Sequence, residues 1–337
     1  MYIEHFGLND HPFRITPDTD YLYMSSAHSR AKAYMEYAIF NREGFVVITG
    51  EIGSGKTTLV KKLLMELDDN VLVAKIFQTQ LNEIELLQAI LVEFGLNPFS
   101  AKKVELLTML NQFLINNHIE GKQVLLIIDD CQNLTKRVLE EVTMLSSVET
   151  QKEKILHVIL LGQPEFSHVL ESHDMEQLLQ RVSLRYHVRA LTIEETKEYV
   201  EHRLSVAGIT KKLFKPEIFK SLYEYSGGIP RLINTLCDTA LTCAFADSYD
   251  EVNTKVFDLA IEELQWSKYA DMHRDASDEQ LMDVSALYAE EAPGNTASSP
   301  EINNALTGAY NSISSRALVE ISKQLKRIAD HLEEKNN

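Results

Sequence analysis

Positively charged residues and cysteines are both in short supply in this sequence. It holds three cysteines, Cys131, Cys237 and Cys243, and none of them forms a CxxC pair. So sparse and odd a set fits a reducing compartment better than a disulfide framework. No apolar run reaches the roughly 18 residues of a membrane-spanning helix. The opening MYIEHFGLNDHPFRITPD lacks the basic-then-apolar order of a secretory signal. These absences lead us to expect a cytoplasmic protein. Against 33 Lys+Arg stand 50 Asp+Glu, a formal net charge of −17. That balance removes any general attraction to DNA or anionic lipid and leaves only local basic surfaces, such as Lys61-Lys62 and the 211–215 segment KKLFK. The histidines form no metal-binding pattern; His168 and His173 read as surface residues. No Ser/His/Asp nucleophile signature is present, and Cys131 reads as filler.

What the sequence does have is apolar strands set between helices. The chain has 337 residues and is 45% hydrophobic, enough for two domains. Residues 1–24 are rich in Pro, Asp and aromatics and are expected to be extended. Ser25 or Ser26 caps a helix to about Arg42. The strand candidates are FVVIT, VLVAKI (71–76), QVLLIID (123–129), ILHVILLG (155–162) and SLRYHVRA (183–190). Between them fall helices over TTLVKKLLMEL, about 82–94 opened by Asn82, and about 101–118 opened by Ser100. Apolar strands alternating with helices predict an α/β fold, a parallel sheet covered by helices on both faces. After Leu191 the strands stop and four helices follow, started by Thr192, Pro216 and Pro230 and ended by Gly208 and Gly227. The expected domains are 1–190 for nucleotide binding, 191–268 as a helical module, 269–300 as an acidic disordered linker and 301–337 as a C-terminal amphipathic helix.

The stretch from Gly50 to Thr58 carries the clearest chemistry. Gly50-Glu51-Ile52-Gly53-Ser54-Gly55-Lys56-Thr57 fits the phosphate-loop pattern GxxxxGK[ST] between a strand and a helix. The glycines let backbone N–H groups turn toward phosphate, Lys56 reaches the β- and γ-phosphates, and the Thr57 hydroxyl ligates Mg²⁺. The following helix directs its positive end at the anion. LLIIDD (125–130) places Asp129 at the carboxyl end of a strand as a second metal ligand. Asp130 then either orients the attacking water or caps the helix beginning near Thr135. Gln163 follows a neighbouring strand and either contacts the γ-phosphate or is an ordinary turn residue before Pro164. Two arginine groups could neutralise transition-state charge: Arg181, Arg185 and Arg189 in one, and Arg231, set by Gly227, Gly228 and Pro230, in the other.

The phosphate loop, the run ending in Asp129-Asp130, LLGQPEF, QRVSLRYHV and GGIPRLIN, in that order, resemble the AAA+ ATPases of the ExeA/GspA (general secretion pathway A) and MshM type. The opening FGLNDHPFRITPDTDYLYMSSAHSRA and its spacing to GFVVITGEIGSGKTTL resemble that family too, so the resemblance covers residues 1 to about 266. It implies a P-loop AAA+ sheet sandwiched by helices, followed by a helical lid, with oligomerisation on ATP into a ring or filament. It further implies that Arg231 is the lid arginine called sensor 2, that Gln163 takes the sensor 1 position and that Arg181 or Arg185 is the finger acting on a neighbouring subunit. The segment around Pro12, Phe13 and His28 is implied to lie near the adenine. Where the family reads Asp-Glu-Ala-Gln, this chain reads Asp129-Asp130-Cys131-Gln132. The carboxylate at 130 is thus one methylene shorter, which predicts slow hydrolysis, a switch rather than a motor. ExeA-type members continue into a membrane span and a peptidoglycan-binding domain; neither follows Trp266 here, which reads as the shorter MshM-like type.

In the last helix Leu318, Ile321, Leu325, Ile328 and Leu332 alternate spacings of three and four, a seam of about two heptads. It either packs on its own helical module or offers a tethered helix to a partner. The leading expectation is an ATP- and Mg²⁺-dependent switch for assembly of an envelope machine (secretion, pilus or polysaccharide export), cytoplasmic or peripheral at the inner membrane through a partner. The alternatives are a DNA-associated ATPase of the TnsC/TniB transposition type and a nucleotide-dependent scaffold with little hydrolysis.

Overall fold

The computed structural model describes residues 2–40, 45–77, 80–98, 102–148, 154–209 and 211–271. All belong to one unit, Met1–Asp275. Ser100, most of the predicted linker and the whole predicted C-terminal helix lie outside the described residues.

The order of elements is α1 (Tyr2–Phe6), α2 (Ser26–Phe40), β1 (Phe45–Gly50), α3 (Lys56–Glu66), β2 (Val71–Ile76), α4 (Glu83–Glu93), α5 (Lys103–Ile119) and β3 (Gln123–Ile128). Then come α6 (Lys136–Leu145), β4 (His157–Gly162), α7 (Pro164–Glu171), α8 (Glu176–Arg181) and β5 (Leu184–Val188). Four helices close the described chain: α9 (Ile193–Val206), α10 (Ile218–Ser226), α11 (Pro230–Ala246) and α12 (Thr254–Leu264). The five strands form one sheet, ordered β2-β3-β4-β1-β5, and every pairing is parallel. The predicted α/β architecture is therefore present, with an all-helical region after it.

Both sheet faces are buried, and the side-chain alternation of the strands explains how. Phe45, Val47, Leu126, Ile128 and Leu160 point to one face and pack under α4 to α8. Val46, Ile48, Leu125, Ile127 and Leu161 point to the other and pack under α2 and α3. A strand buried on both sides needs no polar alternation, so these segments read as continuous apolar runs. The consequence for function is that polar chemistry emerges only at the strand ends.

Helix starts follow local chemistry. Asn82 accepts from the N–H groups of Ile84 and Glu85 and opens α4 in a capping box. Thr192 does the same for α9 with Glu195. Lys102 stands at the cap position of α5 and makes no side-chain cap there. The expected extended N-terminus is corrected: Tyr2–Phe6 is a helix. Its apolar residues leave the solvent for the core of the helical module, where Tyr2, Phe6, Leu8, Phe13 and Tyr21 pack with Val200, Leu204 and Leu236. The buried Arg203 holds this segment from α9. Its Nε donates to the Pro12 carbonyl, one terminal nitrogen to the Arg14 carbonyl (3.2 Å) and the other to the Tyr199 hydroxyl (2.9 Å). The guanidinium also lies over the Tyr21 ring, 4.9 Å from its centroid. The helical region extends past Trp266: Lys268 pairs with Glu224 at 2.6 Å, and the Tyr269 ring lies against Gly227.

Among the described residues no helix is long and apolar enough to cross a membrane.

The junction between sheet and helical module rests on Gly228. Its φ is +73°, and a Cβ there would lie 2.1 Å from the Leu191 carbonyl oxygen, while Leu191 donates back to the Gly228 carbonyl at 2.9 Å. Gly228→Ala should therefore cost about 2 kcal/mol of stability. Denaturant unfolding measures this, and an unchanged midpoint with an unchanged slope would refute it.

Candidate nucleotide-binding site

The carboxyl ends of β3, β4 and β1 lie side by side, and a cleft of about 480 Å³ lined by Gly53, Gly55, Lys56, Thr57 and Thr58 opens at the loop that leaves β1. The phosphate loop, Glu51 to Gly55, leaves β1 and enters α3. Gly53 and Gly55 take φ of +82° and +95°, the backbone that lets the loop fold around its own centre. Lys56 opens α3 and is only 9% exposed. Its Nζ donates to the carbonyls of Gly50 (2.6 Å) and Glu51 (2.9 Å), so the ammonium sits inside the loop. Burial pushes its pKa down, against the pull of Asp129 and Asp130. Ser54 Oγ is buried in the same loop without a protein partner.

Thr57 and Asp129 come together. The Thr57 hydroxyl donates to Asp129 Oδ2 at 2.7 Å, and the Asp130 N–H donates to Asp129 Oδ1 at 2.9 Å. Burial raises the Asp129 pKa, while these two donors lower it. Two oxygen ligands side by side suit Mg²⁺, which completes its shell with water and phosphate oxygens. No group of three or more His, Cys, Asp or Glu side chains suited to a metal occurs among the described residues. Thr57 and Asp129 thus fit a partly hydrated Mg²⁺ rather than an all-protein cage.

Asp130 is exposed, and its φ of +53° is left-handed. It does not cap the helix after Thr135; Thr135 caps α6 itself, accepting from the Val138 N–H. That alternative for Asp130 is overturned. Gln163 stands just past β4, which pairs directly with β3. It is the N-cap residue of α7, with Pro164 at the first helical position, and makes no side-chain cap.

The arginines divide. Arg231 lies at the start of α11, its N–H donating to the Gly53 carbonyl at 3.2 Å. A Cβ added to Gly53 would come 2.4 Å from Arg231 Cβ, so only glycine lets the loop and the helical module approach this closely. Arg185 is tied to Glu171 of α7 at 3.1 Å. Arg181 is exposed at the end of α8 and has no ion-pair partner among the described residues. Neither Arg181 nor Arg185 lines the cleft of its own chain.

The N-terminal segment supplies the far wall, through Arg14 to Asp18 and Tyr21 to Tyr23. Pro12 and Phe13, expected near the adenine, lie behind it: Phe13 is 1% exposed and packs edge-on against Phe214. His28 sits at the loop, its Nε2 2.8 Å from the Ser54 carbonyl and its Nδ1 2.6 Å from Ser25 Oγ. A carbonyl only accepts, so Nε2 carries the proton and the neutral ring accepts from Ser25. Gly55 is close: a Cβ there would be 2.9 Å from that nitrogen. Three residues that sequence reasoning gave no role complete the surroundings. Glu195, the capping-box carboxylate of α9, also accepts from the N–H and hydroxyl of Ser26 at the start of α2. Arg203 lines the cleft, and Gln132 joins the ends of β3 and β4. The three-residue step from Thr192 to Glu195 carried a sequence signal, that of a capping box.

Fold and loop together define a P-loop nucleotide-binding protein of the AAA+ class. The AAA domain family profile matches residues 40–170. General secretion pathway protein A of Aeromonas hydrophila is 41% identical over 247 residues, 73% of this chain and 45% of that protein. The chain thus spans less than half the length of that relative. Two solved structures share the fold. The Aeropyrum pernix ORC2 protein (ADPNP-ADP complexes) has 17% identity and a TM-score of 0.55, over 71% of this chain and 67% of that one. Cdc6p from Pyrobaculum aerophilum has 14% identity and a TM-score of 0.57, over 77% and 70%. Residues 40–170 are thus an AAA domain, and over 73% of its length the chain is similar to General secretion pathway protein A.

A pH dependence follows from His28. Burial holds its pKa below the ordinary 6.5. The unfolded chain therefore takes up the proton first, so stability is full above about pH 6.5 and falls as pH drops below it, by at most about 1.4 kcal/mol per pH unit for one group. His28→Gln keeps a donor for Ser54 and does not titrate. Its stability should fall less steeply between pH 6.5 and 5 than the parent's; superimposable curves would refute the assignment.

Proposed function

We propose that this chain is a Mg²⁺-dependent ATPase whose nucleotide state, read through homo-oligomers, switches the assembly of a bacterial envelope machine. The observation that carries the ATPase reading is that Lys56 and Thr57 line the cleft while the Thr57 hydroxyl donates to Asp129 at the end of β3. The envelope role rests on the relationship to General secretion pathway protein A. A position in the cytoplasm, peripheral at the inner membrane through a protein partner, goes with that role.

In this reading the loop amides of Glu51 to Thr58 and the Lys56 ammonium bind the phosphates, with Gly50 setting the turn. Thr57 and Asp129 would hold Mg²⁺, which supplies charge neutralisation at the β- and γ-oxygens. Asp130 orients the attacking water, and Gln163 contacts the γ-phosphate side from the neighbouring strand end. Arg231 reaches the phosphates from the helical module, which acts as a lid. Of the two finger candidates we favour Arg181, because Arg185 is already engaged by Glu171 in its own chain. Arg181 would neutralise transition-state charge on a neighbouring subunit's nucleotide.

The first test is ATP turnover per chain against protein concentration, with Lys56→Ala as the blank. Turnover should climb with concentration, lose that climb in Arg181→Ala and keep it in Arg185→Ala. A flat curve at the level of the blank would instead mark a scaffold that binds nucleotide without using it. The second test concerns the short carboxylate. Asp130→Glu restores the missing methylene, and turnover should rise roughly tenfold; no rise sinks the slow-switch reading.

A further inference from the structure

Among the described residues three non-glycine residues have positive φ: Asp130, Ser248 and Gln265. Ser248 follows the end of α11, and Gln265 caps α12, the ordinary place for this conformation. Asp130 is different. It lies between β3 and a single 3₁₀ turn, Cys131–Asn133, and no α-helix ends there. A left-handed aspartate costs about 1 kcal/mol and persists only where its surroundings hold it.

Three contacts hold Asp130. Its N–H donates to Asp129, and its carbonyl accepts from the Asn133 N–H at 3.1 Å. The third is the Gln132 amide. Nε2 of Gln132 donates to Asp130 Oδ1 at 3.1 Å, and Oε1 of the same amide accepts the Gln163 N–H at 3.1 Å. The amide orientation is dictated by its partners. A backbone N–H can only donate and a carboxylate can only accept, so the reverse orientation would lose both bonds. One half-buried side chain thus spans two neighbouring strand ends. It fixes the direction of an otherwise exposed carboxylate and ties it to the corner that carries Gln163.

We propose that Gln132 is a positioning residue for hydrolysis, holding the Asp130 carboxylate in register with the β4–α7 corner. This rests on the reading of Asp130 as the group that orients water. Gln132 touches no substrate in this scheme. It removes the rotational freedom of a short side chain that must reach the water, and misplacement by a fraction of an ångström is costly at a reacting centre.

Two variants of the full chain separate the parts of the bridge. Gln132→Met keeps the volume and loses both hydrogen bonds. Gln132→Glu keeps the length and the acceptor for the Gln163 N–H but loses the donor to Asp130. Both should lower kcat roughly tenfold, while the KM for ATP, the Kd for a non-hydrolysable ATP analogue and the unfolding midpoint stay near the parent's. In an Asp130→Asn background, where asparagine tolerates the left-handed backbone, Gln132→Met should lower the residual rate by less than about twofold, because it acts through the missing carboxylate. If Asp130→Asn alone turns over like the parent, the reading of Asp130 itself is wrong, and this inference falls with it. If Asp130→Asn is slow yet both Gln132 variants keep the parent's kcat, Asp130 stands and the positioning role is overturned. A tenfold loss that persists in the Asp130→Asn background, or one matched by a collapse of analogue binding or of the unfolding midpoint, overturns it as well.

Discussion

The site depends on two charges withdrawn from water at the end of an apolar sheet. Lys56 and Asp129 are both buried, and burial pushes each toward its neutral form. Neither is paired with the other by a direct bond: Lys56 faces loop carbonyls, and Asp129 faces a hydroxyl and a backbone N–H. Such an arrangement is a poor source of stability. It suits a ligand that brings an anion to the lysine and a cation to the carboxylate, and offsets both desolvation costs at once. The parallel sheet makes this possible. With both faces covered, its strand ends are where polar groups can gather.

Around that centre the two regions of the fold interlock. α2 reaches the phosphate loop through His28, and the start of α2 is held by Glu195 of α9. α11 reaches the loop through the Arg231 backbone. The N-terminal segment precedes the sheet in sequence but packs in the helical core, fastened by Arg203. Loop and far wall of the cleft are therefore carried by different cores. A ligand that touches both links them, and any difference in its affinity for two arrangements of these cores would shift their balance. This is the physical basis on which a nucleotide could act as a switch here.

Much of this was legible from residue order. Apolar runs such as FVVITG and QVLLII declared strands buried on both faces, and caps such as Asn82 and Thr192 declared helix starts. The loop pattern, with a strand before and a helix after, was enough to anticipate Lys56 and Thr57 at one point in space. Other features were hidden. The YIEHF helix is only five residues long, too short to show a period. Asp130 was a candidate cap on composition, since its side chain accepts well, and only the folded backbone showed that Thr135 caps that helix instead.

Taken alone, the sequence determined the class of fold, the phosphate loop and the acid at the end of β3. Each rests on local pattern: side-chain periodicity, backbone freedom at glycine, and the rule that parallel strands expose chemistry at their carboxyl ends. The tertiary structure alone decided which distant groups meet. It set Arg231 against Gly53, His28 against Ser54, Arg203 against Pro12 and Gln132 between Asp130 and Gln163. Most of these contacts join residues far apart in the chain, and all depend on where a side chain or helix end points once the cores have packed, which no local spacing records.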